Sequence, residues 1–419
     1  MLHQIPIDKA GPNGQEMADA VTTCVHCGFC LQACPTYHEM GDESDSPRGR
    51  IFLMKEVLEG NLELDEATPY LDRCLGCLSC EIACPSGVPY RDLITPFRAQ
   101  ADEQRSRSLF DQFIRWTILN TLPYPRRFRL SVKAGRLASA FSFLLPGKMK
   151  VMTSLLPDKL PPANPLPELT PAVGRRKARV ALLAGCAQQV LAPQINHAAL
   201  RVLSHLGVEV VVPKEQVCCG ALAAHTGDAK QAKSFAKKNL TAFPADVDCI
   251  VTTAAGCGSG MHEYPQWLRG EPDEEQAKQL ASRSKDISVF LAELGPMNLK
   301  PLDHSIRVAY HDACHLSNGQ HVTAQPRNLL KQIENLELVE IGGGQLCCGS
   351  AGTYNIEQPD IAASLGRQKA QAIIDTGAEA VATGNIGCMV QVQQHLRTLN
   401  HELPVRHTIE WLADAIPAT

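Results

Sequence analysis

Hydrophobic positions divide this chain into three regimes. Up to about residue 155 the apolar residues recur at helical spacing. Ser46-Pro47-Arg48-Gly49-Arg50 is followed by Ile51, Phe52, Met54, Val57 and Leu58, which predicts a helix begun after a turn. Residues 1–23 are expected to form a lead-in helix. From Leu156 to Pro171 six prolines break any period and predict a semi-rigid spacer at a domain boundary. Beyond it, short runs rich in Val and Ile alternate with helical stretches such as Asn196–Leu206 and Ile361–Thr376. Such runs read as buried parallel strands with crossover helices.

That last regime is duplicated. Arg179-Val180-Ala181-Leu182-Leu183-Ala184-Gly185-Cys186 aligns with Arg307-Val308-Ala309-Tyr310-His311-Asp312-Ala313-Cys314. Gly207–Pro213 leading to Cys218-Cys219-Gly220 matches Leu336–Ile341 leading to Cys347-Cys348-Gly349. Asp248–Thr253 with Gly256-Cys257 matches Ala380–Thr383 with Gly387-Cys388. The cysteines fall just after the strands, at the carboxyl edge where open α/β sheets place their sites.

A second repetition lies near the amino terminus. Cys24, Cys27, Cys30, Cys34 and Pro35 share the spacing C-x2-C-x2-C-x3-C-P with Cys74, Cys77, Cys80, Cys84 and Pro85. This spacing wraps thiolates around two [4Fe–4S] clusters, and the fourth cysteine of each motif reaches the other cluster. The expected sets are therefore Cys24, Cys27, Cys30 and Cys84 for one, and Cys74, Cys77, Cys80 and Cys34 for the other. The 39 residues between the motifs (35–73) exceed what a minimal ferredoxin needs and point to a helical variety. Arg48 and Arg50 are either charge partners of a cluster or solvated surface arginines.

Composition narrows the class. With 419 residues, 44% hydrophobic and 20% charged, the chain has room for two or three cores. A net charge of −4 offers no nucleic-acid footprint. Seventeen cysteines in clusters, behind a polar start from Met1 to Ala20, point to metal ligation in a reducing compartment rather than a disulfide scaffold. No run of 18 apolar residues predicts a membrane span. The nearest approach runs from Phe110 to Leu156. It holds Phe113, Ile114, Trp116, Ile118 and Leu119, then Pro123-Tyr124-Pro125-Arg126-Arg127-Phe128-Arg129, then Phe141, Phe143, Leu144 and Leu145. Amphipathic helices packed on the ferredoxin domain or docking a partner are the favoured reading, with contact at a lipid surface as the alternative.

Each repeat of the second half supplies four thiols: Cys186, Cys218, Cys219 and Cys257, then Cys314, Cys347, Cys348 and Cys388. Adjacent cysteines do not suit a shared disulfide but can share a cluster. One or two further iron–sulfur clusters are expected here. Cys249 lies inside a strand run and reads as packing. His225, His262, His311 and His315 sit near these loops in sequence. They read as hydrogen-bonded supports, with His311 and His315 open to a proton path or an unusual ligand role. The expected architecture is a multidomain α+β chain. A helical two-cluster ferredoxin domain (1–108) leads to a helical extension (109–155) and a proline-rich linker (156–176). A duplicated α/β cysteine-rich (CCG) domain follows (177–300 and 301–419).

At this point a resemblance emerges. The Cys-Cys-Gly repeats resemble the cysteine-rich domains of heterodisulfide reductases, anaerobic glycerol-3-phosphate dehydrogenase and glycolate oxidase. The whole order resembles the family of iron–sulfur subunits of bacterial glycolate oxidase (glycolate dehydrogenase). The closer match is carried by Cys24–Cys30, Pro47-Arg48-Gly49-Arg50-Ile51, Leu71-Asp72-Arg73-Cys74-Leu75, Leu346–Tyr354 and Asn385-Ile386-Gly387-Cys388. The broader family often ends each repeat in C-x-x-C. Here the ends are Cys257-Gly258-Ser259-Gly260 and Cys388-Met389-Val390-Gln391, which argues against a five-cysteine non-cubane site.

The resemblance implies an electron-transfer subunit, inactive alone, with FAD on partner flavoprotein subunits only. No G-x-G-x-x-G register, Walker sequence or Ser/His/Asp signature is recognisable here. A hydride needs an organic two-electron acceptor, which again places substrate on another chain. Electrons from glycolate, oxidised to glyoxylate, would pass to a quinone-type acceptor. The alternatives are a catalytic subunit reducing disulfide or quinone at the CCG clusters, or the equivalent subunit of a D-lactate or glycerol-3-phosphate dehydrogenase. The expected location is cytoplasmic, with peripheral contact on the inner face of the cytoplasmic membrane as the further expectation.

Overall fold

The computed structural model describes residues 5–139, 143, 146–157, 159–343 and 346–417. Phe141, Leu144 and Leu145 of the apolar stretch lie outside the described residues. The amino-terminal part is helical throughout: Gly14–Thr23, Pro35–Met40, Pro47–Glu59, Leu64–Asp72 and Tyr90–Gln104 frame the two cysteine loops. The helix Pro47–Glu59 starts where the sequence signals it. Ser46 Oγ accepts from the Gly49 N–H at 3.0 Å, and Pro47 supplies a pre-set first turn. Met17, Met54 and Leu93 are fully buried between these helices.

The helices Leu109–Thr121 and Pro125–Ser139 follow. Among the described residues they join an apolar cluster of the first cysteine-rich repeat. Leu119 joins the core around Phe235 and Trp267, and Tyr124 tilts against Phe235. Arg115 donates to the Thr226 carbonyl at 2.6 Å. Leu109, Phe113 and Trp116 remain exposed on the opposite face. The linker is also less free than its prolines suggest. Leu169–Thr170 (β1) pairs antiparallel with Val208–Val211 (β3), and the Val212 N–H reaches Glu168 O at 2.8 Å. These residues lie between prolines, so their amide groups are available to the sheet edge.

Each repeat folds around the same parallel sheet. The first has the order β1-β3-β2-β4-β5, with β2 Ala178–Leu183, β4 Cys249–Thr252 and β5 Ser284–Asp286. The second has the order β7-β6-β8-β9, with β6 Ile306–His311, β7 Leu336–Glu340, β8 Ala380–Thr383 and β9 Val405–His407. Central strands are buried on both faces, which explains their continuous apolar runs. β5 and β9 carry three residues each, too few for a sequence period. One core joins the halves. It contains Val180, Val210 and Val251 of the first sheet, Val308, Tyr310 and Ala382 of the second, and Leu203 and Leu412 from helices Gln194–His205 and Thr408–Ala415.

Candidate metal centres

The two ferredoxin loops adopt one backbone with exchanged residues. The third position is left-handed in both (His26 φ 56°, Gly76 φ 62°), and so is the fifth (Gly28 φ 84°, Leu78 φ 61°). Each loop thus spends one glycine and one strained residue on the same two corners. Around them lie two adjoining cavities. One, of about 410 Å³, is lined by Cys24, Cys27, Cys30 and Cys84; the other, of about 320 Å³, by Cys34, Cys74, Cys77 and Cys80. Cys80 and Tyr90 form part of the wall of both. Four thiols converging on each cavity, with all these cysteines unbridged, fit a cationic iron–sulfur core.

Electrostatics differ between the two. Burial and then Cys77 push the Cys80 thiol well up. Burial, followed by the neighbouring Cys314, pushes Cys77 up to about 12. Cys74 is equally buried, yet the Arg50 and Arg98 guanidinium groups hold it below its ordinary value. Arg50 is not a surface arginine. It is 1% exposed, donates to Tyr70 O at 2.7 Å and Thr36 Oγ1 at 2.9 Å, and pairs with buried Asp45 at 3.2 Å. Its Nη1 stands 3.8 Å from Cys34 Sγ. Arg48 is more open, bonding the His26 carbonyl at 2.9 Å and Glu43 at 2.6 Å. Arg98 and Tyr90, which no local motif marks, also reach Cys74: Arg98 donates to its carbonyl at 2.6 Å, and the Tyr90 hydroxyl lies 3.7 Å from its sulfur.

In the first repeat Cys186 and Cys218 sulfurs are 3.5 Å apart, Cys219 contacts Cys218, and Cys257 contacts Cys219. The second repeat repeats this succession through Cys314, Cys347, Cys348 and Cys388. Contact with Cys347 and burial hold the Cys314 thiol well above its ordinary range. The glycine after each pair is required. Gly220 and Gly349 have φ of +87° and +84°, and a Cβ at Gly349 would stand 2.6 Å from the Ala362 carbonyl. Cys249 lies apart, buried in the core at the start of β4.

The histidines separate by position. His225 and His315, one from each repeat, form an edge-on pair with centroids 5.0 Å apart, and burial lowers both, to about 4 and about 3. His262 is exposed at the end of helix Ala255–His262. His311 is buried, and one of its nitrogens lies within 4.8 Å of the Cys348 and Cys388 sulfurs.

The ferredoxin part and second repeat meet at the inner cavity. Leu75, Cys77, Cys314, Cys347 and Tyr354 share one apolar cluster. Asn318, buried on the repeat, donates to Cys77 O at 2.9 Å and Ser79 Oγ at 3.0 Å, while Tyr354 OH donates to Arg73 O at 2.8 Å. Neither contact is readable from the sequence, because each spans more than two hundred residues. Among the described residues no helix is long and apolar enough to cross a membrane.

Comparison with known proteins agrees with this arrangement. Residues 20–88 match a 4Fe-4S dicluster domain, and residues 180–262 and 308–393 each match a cysteine-rich domain. A probable glycolate oxidase iron–sulfur subunit of Bacillus subtilis is 38% identical over 88% of this chain and 88% of its own. The glycolate oxidase iron–sulfur subunit of Escherichia coli is 35% identical over 95% of each chain. Lactate utilization protein A of Oceanobacillus iheyensis is 30% identical over 56% of this chain and 96% of its own. A hypothetical protein from Helicobacter pylori, 10% identical, shares the fold with a TM-score of 0.50 over 98% of this chain and 73% of that one. With a dicluster ferredoxin domain, a duplicated cysteine-rich domain and relatives matched along nearly their full length, the chain belongs to the family of glycolate oxidase iron–sulfur subunits.

Proposed function

We propose that this chain is the electron-transfer subunit of a flavin-dependent glycolate (2-hydroxy acid) dehydrogenase, carrying electrons from flavoprotein partners to a quinone-type acceptor. One observation carries the reading: the two ferredoxin thiol sites and that of the second repeat are contiguous. The outer and inner ferredoxin cavities share Cys80 as a wall, and Cys77 of the inner one lies against Cys314 and Cys347. Clusters held by Cys24, Cys27, Cys30 and Cys84, and by Cys34, Cys74, Cys77 and Cys80, would accept one electron at a time. The protein's own part is to hold these thiols, bury the inner set and place Arg50 and Arg98 beside it. The four thiols of each repeat supply the further centres. In the whole reaction glycolate loses two electrons and two protons to become glyoxylate, and a quinone gains both pairs.

The exposed Leu109, Phe113 and Trp116, beside a helix Pro125–Ser139 that carries five basic residues and no acidic one, support peripheral contact with the membrane that holds such an acceptor. The test is co-expression with the flavoprotein partners and assay with an artificial acceptor. Glycolate turnover that requires this chain is the expected result. A complex that oxidises only D-lactate or glycerol 3-phosphate would overturn the substrate assignment.

A further inference from the structure

The two cysteine-rich repeats gather four thiols at matching strand ends, yet they differ at one buried position. In the first repeat the last residue of β2 is Leu183, register partner of Thr252 on β4. In the second the last residue of β6 is His311, register partner of Thr383 on β8. The place in the fold is the same and the chemistry is opposite. Leu183 is 2% exposed and packs with Cys218 and Cys219 in an apolar cluster. His311 is also 2% exposed, but its Nε2 has no hydrogen-bond partner among the described residues.

A buried ring nitrogen without a partner calls for an explanation, and an unseen ion is one of the few available. The surroundings supply the remaining donors. An imidazole nitrogen of His311 and the sulfurs of Cys348 and Cys388 lie within 4.8 Å of one another. Cys348 contacts Cys347, which contacts Cys314, so His311 adjoins a row of four thiols at the strand position that Leu183 fills in the first repeat. Asn385 Nδ2 stands 3.5 Å from Cys388 Sγ, and the backbone from Asn385 opens the helix that carries this thiol.

We propose that His311 takes the place of one of the four thiols as a ligand of the iron–sulfur centre in the second repeat, whereas the first repeat has only Leu183 at that strand position. This rests on the reading that the repeats hold clusters. A neutral imidazole brings one negative charge fewer than a thiolate, and histidine ligation raises the potential of iron–sulfur centres. Lys369, 5% exposed and close enough to interact with Cys347, Cys348 and Cys388, adds a cation on the same side. The second repeat is thereby the more oxidising of the two, and its Cys314 and Cys347 lie against Cys77 of the inner ferredoxin loop.

The experiment is pulsed EPR on the reduced full chain labelled with 15N-histidine, with iron and sulfide measured on the same sample. The expected result is a nitrogen coupling of direct-ligand strength that changes with the isotope and is lost in His311→Leu, the residue of the first repeat. That variant should also shift one cluster midpoint to more negative potential. The labelled wild-type chain needs no substitution, so a variant that folds poorly does not remove the test. Only weak couplings of hydrogen-bond strength, or a strong one that persists in His311→Leu, would overturn the ligand assignment. Iron at about eight per chain would overturn the underlying reading, and the ligand with it.

Discussion

Cys27 and Cys77 hold the same place in two copies of one motif, yet one faces solvent and the other is 9% exposed. The surroundings divide likewise. Val25 and Phe29 of the first loop are 67% and 65% exposed, whereas Leu75 and Leu78 of the second are each 4%. The backbone corners coincide, so cysteine spacing sets the loop and not its access. Access comes from what the rest of the chain lays over each copy. Phe29 stays open to solvent, while Asn318, Cys314 and Tyr354 close over the other loop. An outer site suited to meeting a partner and an inner one suited to internal relay follow from one repeated motif.

Removing a ligand from each loop tests the division most severely. Cys77→Ser should abolish electron delivery to the acceptor while the partner flavin is still reduced by substrate, with one cubane EPR signal lost or converted. Cys27→Ser should lose the other signal. Continued turnover in Cys77→Ser would take the inner loop off the path.

The two arginines offer the next contrast. Arg50→Met leaves Asp45 fully buried with Arg73 as its remaining charge partner. Breaking a buried pair in this way costs about 3–5 kcal/mol, readable as a lowered denaturation midpoint. Arg48→Met, whose partner Glu43 is largely exposed, should cost under about 1 kcal/mol. Equal losses would remove the asymmetry. Phe29→Ser should leave both clusters intact and weaken a protein partner's binding by about 2 kcal/mol, the scale of an interface hot spot. Unchanged affinity in titrations with the flavoprotein would move the docking face elsewhere.

Much of this organisation is legible in the residues themselves. Cysteine spacing is a local code, and the eight amino-terminal cysteines announce two sites without any knowledge of the fold. The buried strands β2, β4, β6 and β8 are equally plain, because strands covered on both faces must be apolar throughout. What escapes is whatever depends on distant chain. β5 and β9 are strands only by virtue of their neighbours β4 and β8. Leu169–Thr170 reads as linker until the edge of β3 is present. Arg98 lies a full helix away from the cysteine whose carbonyl it binds, and Arg50 looks like any turn arginine until Asp45 and Thr36 enclose it. His311 stands in an apolar strand, where its chemistry is visible but its orphaned nitrogen is not.

Asn318 joins the inner loop to the second repeat, and its loss is the mildest of these perturbations. Its amide gives two hydrogen bonds, to Cys77 O and Ser79 Oγ, from a site 1% exposed. Asn318→Ala removes both and leaves a buried carbonyl to find another donor, a cost of about 1–3 kcal/mol. Such a loss is read as a lowered melting temperature. The expected outcome is a modest drop in Tm with iron and sulfide content unchanged, since Cys77 keeps its loop geometry through Gly76 and Leu78. If the inner cluster were lost as in Cys77→Ser, Asn318 would be holding the ligand itself rather than the joint between the two parts. The inner loop would then depend on the second repeat for its shape as well as its burial.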